Sequence, residues 1–132
     1  MWKDDYLLGV DHIDEQHRSL FSKTEELITL VEDGVEKNKP AIIEIIVFLK
    51  GYALSHFRSE QEYQESIKYE DMANHLTEHK AFIKTVLKHE QILLASDFEE
   101  ENVKSFTETL ASWLVNHVAG SDQLIVGKKA LN

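Results

Sequence analysis

The sequence predicts an all-α protein, an antiparallel up-down-up-down four-helix bundle, and three observations point there. Apolar residues recur in steps of three and four along most of the chain. No segment alternates polar and apolar in the manner of a half-buried strand, and the connections between periodic stretches are short. One proline and five glycines in 132 residues leave few breaks, and neither a repeat nor a Ser/Gly-rich linker divides the chain. That length can bury a core without help, so residues 1–132 are read as a single domain.

Residues 1–12 form an N-terminal arm. The first helix, roughly 13–34, turns Ile13, His17, Leu20, Thr24, Leu27 and Val31 inward, and Gly34 with the polar stretch Glu36 to Lys39 closes it. Pro40 opens the second, roughly 40–67, because proline is tolerated in a first turn where the N–H has no helical partner. Its stripe is Ile42, Ile46, Leu49, Ala53, His56, Glu60, Tyr63 and Ile67. The third helix, roughly 71–93, carries Met72, His75, His79, Phe82 and Val86. Ser96 followed by Glu99 reads as a capping box opening the fourth, roughly 97–119, with Val103, Phe106, Leu110, Trp113 and His117 inward. Gly120 marks its end, and 120–132 is a C-terminal segment.

Composition narrows the function. With 24 acidic residues against 14 basic, the formal net charge of −10 works against binding a phosphate backbone, so no nucleic-acid partner is expected. The absence of cysteine removes disulfides, iron–sulfur clusters and thiolate-bound metals, and fits a reducing cytoplasm, the expected location. The amino terminus lacks the basic patch and apolar run of a secretory signal. The longest apolar stretch, Ala41 to Leu49, is interrupted by Glu44, so no membrane association is expected.

The informative residues are ionisable ones on core stripes, where burial costs free energy unless the group is bonded or ligates something. They are His17, His56, Glu60, His75, His79 and His117. A single inward histidine is more often a hydrogen-bonded core residue than a ligand, but these six share a location. In an antiparallel bundle the start of the first helix, the end of the second, the start of the third and the end of the fourth meet at one end. That convergence points to a metal site built from nitrogen and oxygen donors. His56 with Glu60 and His75 with His79 are each four apart, roughly 40° off alignment and about 6 Å along the axis, so each pair can grip one ion or two adjacent ions. Asp122 would point roughly 140° away from His117 on an unbroken helix, so the chain must loosen at Ala119 and Gly120 for it to turn inward. His12, ahead of the first helix, and His89, several turns from the cluster, are given no ligand role. Asp14 is read as a helix cap in preference to an acceptor for His17.

These residues, with Trp2, Gly9, the run Ile13-Asp14-Glu15-Gln16-His17, His56-Phe57 and Trp113-Leu114, resemble the hemerythrin family over nearly the whole chain. The resemblance implies two iron ions, one held by His75, His79 and His117, the other by His17 and His56, with the carboxylates of Glu60 and Asp122 and an oxo or hydroxo group bridging them. Counted against two octahedral irons, those donors leave one open position, on the iron with two histidines. The implied function is reversible dioxygen binding for carriage, storage or delivery, without enzymatic turnover. Leu20, Phe57, Trp113, Leu114 and Val118 are then the expected apolar pocket around the dioxygen position, keeping out water and proton donors. One departure is visible: family members commonly carry Glu-Glu and then methionine after the second helix's histidine, where this chain reads Glu60-Gln61-Glu62-Tyr63-Gln64.

Two other classes are weaker. Ferritin-like di-iron oxidases use a Glu-x-x-His motif, and here no glutamate lies three residues before any of the five inward histidines. A zinc protease would need the glutamate next to the first histidine, whereas this chain reads His75-Leu76-Thr77-Glu78-His79. A dioxygen or nitric oxide sensor or scavenger would use the same site, but the bundle is expected to fill the chain and leave no output domain. An unidentified redox or acceptor protein remains a possible partner.

Overall fold

A computed structural model describes residues 1–131. A 3-10 turn at Asp4–Tyr6 precedes four long helices, α1 (Asp11–Asp33), α2 (Lys39–Ser66), α3 (Met72–Ala95) and α4 (Glu100–Ala119), followed by the short α5 (Ser121–Ile125). No strand occurs among the described residues. α1 packs on α2 and α4, and α3 on α2 and α4, which closes an antiparallel four-helix bundle.

The core follows the helical period. On α1 every stripe residue from Ile13 to Val31 is buried, joined by Asp14 and Phe21. On α2 the buried face is Ile42, Ile45, Leu49, His56, Phe57, Glu60 and Gln64. The expected stripe therefore drifts at its end: Gln64 takes the inward position expected of Tyr63, and Ile67 lies outside the helix, 43% exposed. Over seven turns a stripe in steps of three and four slips against a 3.6-residue helix, and the partner helices decide which side chain closes it. Among the described residues α2 alone is long and apolar enough to cross a membrane, but it packs in the bundle and carries His56 and Glu60 into the interior. Each large apolar side chain so buried contributes about 1.5–3 kcal/mol.

The connections differ from expectation at two places. His12 lies within α1, exposed, its ring edge-on to Tyr63 at 6.5 Å. Ser96 closes α3 as its C-cap and does not open α4. The chain leaves α3 through two left-handed residues, Asp97 (φ 53°) and Phe98 (φ 57°), and the Phe98 N–H donates to the Leu93 carbonyl at 2.7 Å. α4 starts at Glu100, three residues later than a Ser96 capping box requires. Ser96 Oγ still accepts from the Glu99 N–H at 3.4 Å, so that half of the local pairing survives without the helical turn between them.

Both termini pack over the end of the bundle that holds the histidines. Asp14 neither caps α1 in the ordinary way nor touches His17. Its carboxylate accepts from the N–H groups of Leu8 (2.8 Å) and Gly9 (3.0 Å), pinning the N-terminal arm, and Gly9 at φ +85° makes the turn that allows this. Trp2, Tyr6 and Phe21 pack ring against ring at 5.4–5.6 Å. Gln123 on α5 donates to the carbonyls of Tyr6 and Val118, both at 3.0 Å, and the Leu131 N–H donates to Ala119 at 2.7 Å. These contacts fix α5, and hence Asp122, against the bundle.

Candidate metal centre

α1 brings His17 in its second turn, α2 brings His56 and Glu60 near its end, α3 brings His75 and His79 near its start, and α4 ends on His117. At Gly120 (φ −105°, ψ −94°) the helix breaks, and α5 begins in a new direction that turns Asp122 inward. The loosening expected at residues 119–120 is thus a full break. The seven side chains share one interior space, and none is more than 6% exposed.

Their geometry has a consistent division. Glu60 Oε2 lies 2.6 Å from His56 Nε2 and 3.1 Å from His17 Nε2. Its other oxygen, Oε1, lies 2.7 Å from His75 Nε2, 3.4 Å from His79 Nε2 and 3.9 Å from His117 Nε2. Asp122 divides the same way: Oδ2 is 3.1 Å from His17 Nε2, and Oδ1 is 3.0 Å from Nε2 of both His75 and His117. Glu60 therefore turns one oxygen to a set of two histidines and the other to a set of three, and Asp122 turns one oxygen to a member of the first set and the other to two members of the second.

The donors fit a pair of cations. One group of five (Glu60, His75, His79, His117, Asp122) and one of four (His17, His56, Glu60, Asp122) each offer ligand atoms within 4.8 Å of one another, and the two carboxylates belong to both. Octahedral bonds of about 2.1 Å have edges of about 3 Å, the commonest spacing found here. Both Asp122 oxygens are buried and make no well-formed hydrogen bond despite their near neighbours. Nε2 of His79 faces Nε2 of His117 at 3.1 Å, lone pair toward lone pair unless one carries a proton. Orphaned oxygens and opposed nitrogens are costly in a protein interior and are relieved by a shared cation.

The ionisable side chains of the cluster hold their charges by mutual pairing. Burial alone would depress the pKa of His17 and His75, but the Asp122 and Glu60 carboxylates outweigh it and push both to about 9. His117 is raised well above its usual value in the same contest, with Glu78 adding to the pull. His79, with burial dominant and two imidazoles beside it, is lowered. Burial would raise Glu60 and Asp122, yet the surrounding imidazoles hold both below the usual carboxylate range.

Around this cluster stand residues that sequence reasoning missed or left without a role. Gln16 Oε1 accepts from His56 Nδ1 at 2.8 Å, while its amide donates to Ser59 Oγ at 3.1 Å. Glu78 Oε2 lies 3.2 Å from His117 Nδ1, and Ser121 Oγ donates to Glu78 Oε1 at 2.9 Å. When Nδ1 carries the proton, Nε2 presents its lone pair inward, so these partners orient two of the five imidazoles. Gln16 belongs to the run that carried the resemblance. Glu78 had no signal of its own, since its side chain is 45% exposed and its partner lies 39 positions along the chain. Gln64, at the departure from the family pattern, is buried one turn beyond Glu60 with its Oε1 unpartnered.

Leu20, Phe57, Trp113, Leu114 and Val118 line one cavity together with His56 and His117. Phe57 stacks on His79 (4.0 Å, 13°) and Trp113 on His117 (4.3 Å, 12°), so an aromatic face covers His79 while His117 reaches the cavity wall beside Trp113. His89 stands apart, partly buried with its ring 5.6 Å from Phe106.

Comparison with known proteins agrees with this geometry. The family model for the hemerythrin HHE cation binding domain matches residues 8–128. A bacteriohemerythrin of Clostridium acetobutylicum is 32% identical over 125 residues, covering 93% of this chain and 95% of that protein. A bacteriohemerythrin of Pseudomonas aeruginosa is 31% identical over 123 residues, covering 92% and 76%. A myohemerythrin of Theromyzon tessulatum is 29% identical over 127 residues, covering 96% and 91%. A helical bundle, a buried histidine–carboxylate cluster shaped for cations and a family match across nearly the whole length agree: this chain belongs to the hemerythrin family.

Proposed function

We propose that this chain binds dioxygen reversibly at a pair of iron ions, as a carrier, store or deliverer and not as an enzyme. His75, His79 and His117 would hold one iron, His17 and His56 the other, and Glu60 and Asp122 would bridge them. The observation that carries the reading is that both carboxylates split their oxygens between the same two histidine sets. Bound there, the irons with a bridging oxo or hydroxo group supply reversible electron donation to dioxygen. The protein supplies orientation and exclusion. Gln16 and Glu78 hold His56 and His117 with Nε2 inward, and the break at Gly120 sets Asp122 across both sets. Leu20, Phe57, Trp113, Leu114 and Val118 keep the approach apolar, which denies water and proton donors a place beside the bound gas.

Five imidazoles against two carboxylates favour holding dioxygen over splitting it, since neutral donors stabilise high-valent iron less than carboxylates do. A cysteine-free, acidic chain suits the cytoplasm. The test measures iron per chain together with the visible spectrum under air and after deoxygenation. Two irons and an absorption that comes and goes with dioxygen are expected. Irreversible bleaching with turnover of an added substrate would contradict the reading and favour a di-iron oxidase. Full function only in the presence of a second protein would favour a dioxygen or nitric oxide sensor.

A further inference from the structure

The cavity beside the cluster is larger than a diatomic gas requires. Its volume is about 220 Å³, and it opens between α2 and α3, where Leu54 and Leu87 on its wall are each 43% exposed. A cavity of about 150 Å³ lined by leucine, isoleucine and phenylalanine is enough to bind benzene or xenon.

Its lining also selects by chemistry. Four of the wall residues are polar, and each has its polar atoms engaged elsewhere. Thr24 Oγ1 donates to the Leu20 carbonyl at 2.7 Å. Lys50 Nζ reaches Glu90 Oε2 at 2.7 Å, tying α2 to α3. His56 has Gln16 on Nδ1 and Glu60 on Nε2, and His117 has Glu78 and Asp122. The remaining surface is almost wholly carbon, chiefly the rings of Phe57, Phe82 and Trp113 and the side chains of Leu20, Leu110 and Leu114, with the Trp113 indole N–H the one further polar group among the wall residues. A ligand with hydrogen-bonding groups would leave them unmatched there, whereas an apolar one loses nothing.

We propose that this cavity is a binding site for small, uncharged, apolar molecules of about benzene's size, and that its occupant blocks the approach of dioxygen to the histidine cluster. The second half rests on the dioxygen reading above; the first does not, because it is argued from the size and carbon lining of the cavity. Seated against Phe57 and Trp113, such a molecule lies over the rings that stack on His79 and His117. Gas binding would thereby become sensitive to hydrocarbons, short alkanes and single-ring arenes.

The experiment titrates benzene and phenol into the iron-loaded and iron-free protein, followed by calorimetry and by thermal melting. Benzene is expected to bind as one site per chain in both forms and, at ten times its dissociation constant, to raise the melting midpoint by roughly 4 °C. Phenol, with a hydroxyl that finds no partner, is expected to bind at least about tenfold more weakly. Ala53→Phe, which fills the cavity from α2, is expected to abolish benzene binding, and Leu110→Ala, which enlarges it, to shift preference toward bulkier arenes. Equal affinity for benzene and phenol, or unchanged benzene binding in both variants, would overturn the site. In the loaded protein, saturating benzene is expected to slow the dioxygen-dependent spectral change several-fold. An unchanged rate would overturn the blocking role alone, and benzene binding to a chain that takes up no iron would overturn the iron reading alone.

Discussion

Glu60→Gln tests the bridging arrangement with the least change of shape. Glu60 is fully buried, and its oxygens stand 2.6 Å from His56 Nε2 and 2.7 Å from His75 Nε2, one in each histidine set. The amide keeps the volume but turns an NH₂ group, which has no lone pair to give, toward one of the sets. One metal position then loses a ligand and gains a repelling donor. Changes beyond the direct ligands already weaken metal sites about 10–100-fold, so loss of this bond is expected to cost at least about 100-fold at the affected position. The variant should be isolated with one iron per chain or fewer. In the metal-free protein the same change removes the charge that His17, His56 and His75 face. Breaking such a buried pair costs about 3–5 kcal/mol, which lowers the melting midpoint by about 10–20 °C. Iron per chain by elemental analysis and thermal unfolding of both forms measure the two effects. Glu62→Gln, the same chemical change at an exposed position two residues on, serves as the control. Two irons retained with unchanged release to a chelator would refute the bridging role, and an unchanged metal-free midpoint would refute the pairing.

Four other outcomes are expected. In the metal-free protein, His17 and His75 are raised from 6.5 to about 9, so the stability they contribute is fully present below pH 6.5 and is lost as the pH rises to about 9; the His17 share is roughly 3 kcal/mol. Glu60 and Asp122 are depressed, so theirs is present above about pH 4.5 and is lost on acidification. Melting midpoints against pH should therefore peak between about 4.5 and 6.5. Iron uptake should move the opposite way, strengthening from pH 6.5 toward 9 as protons leave the imidazoles, which titration at fixed free iron would show. Glu78→Ala should speed iron release to a chelator about 10–100-fold with little change in helix content by circular dichroism, because it frees His117 Nδ1. Phe21→Ala, at a fully buried position beneath Trp2 and Tyr6, should cost about 3–5 kcal/mol in urea unfolding while iron content stays at the wild-type level.

The kind of bundle and six members of the cluster were legible in the residues alone, while Asp122 was expected only from the family resemblance. Helical period is a short-range signal, written in steps of three and four, and an ionisable residue on a core stripe stands out because burying it unpaired is costly. Antiparallel topology then carries His17, His56, His75 and His117 to one end without further information. Local rules failed where a distant partner competes with a neighbour. Ser96 and Glu99 satisfied a capping pattern, but the chain first had to turn through Asp97 and Phe98 before α4 could begin. Asp14 had the position of a cap, yet its carboxylate serves Leu8 and Gly9. The pairing of Glu78 with His117, the division of each carboxylate between two histidine sets, and the width of the cavity beside them were decided by tertiary structure. Those features depend on the rotation and axial register of helices joined by side chains some 40 positions apart. A few tenths of an ångström there separates a ligand from a neighbour, and periodicity in one segment contains nothing about the register of another.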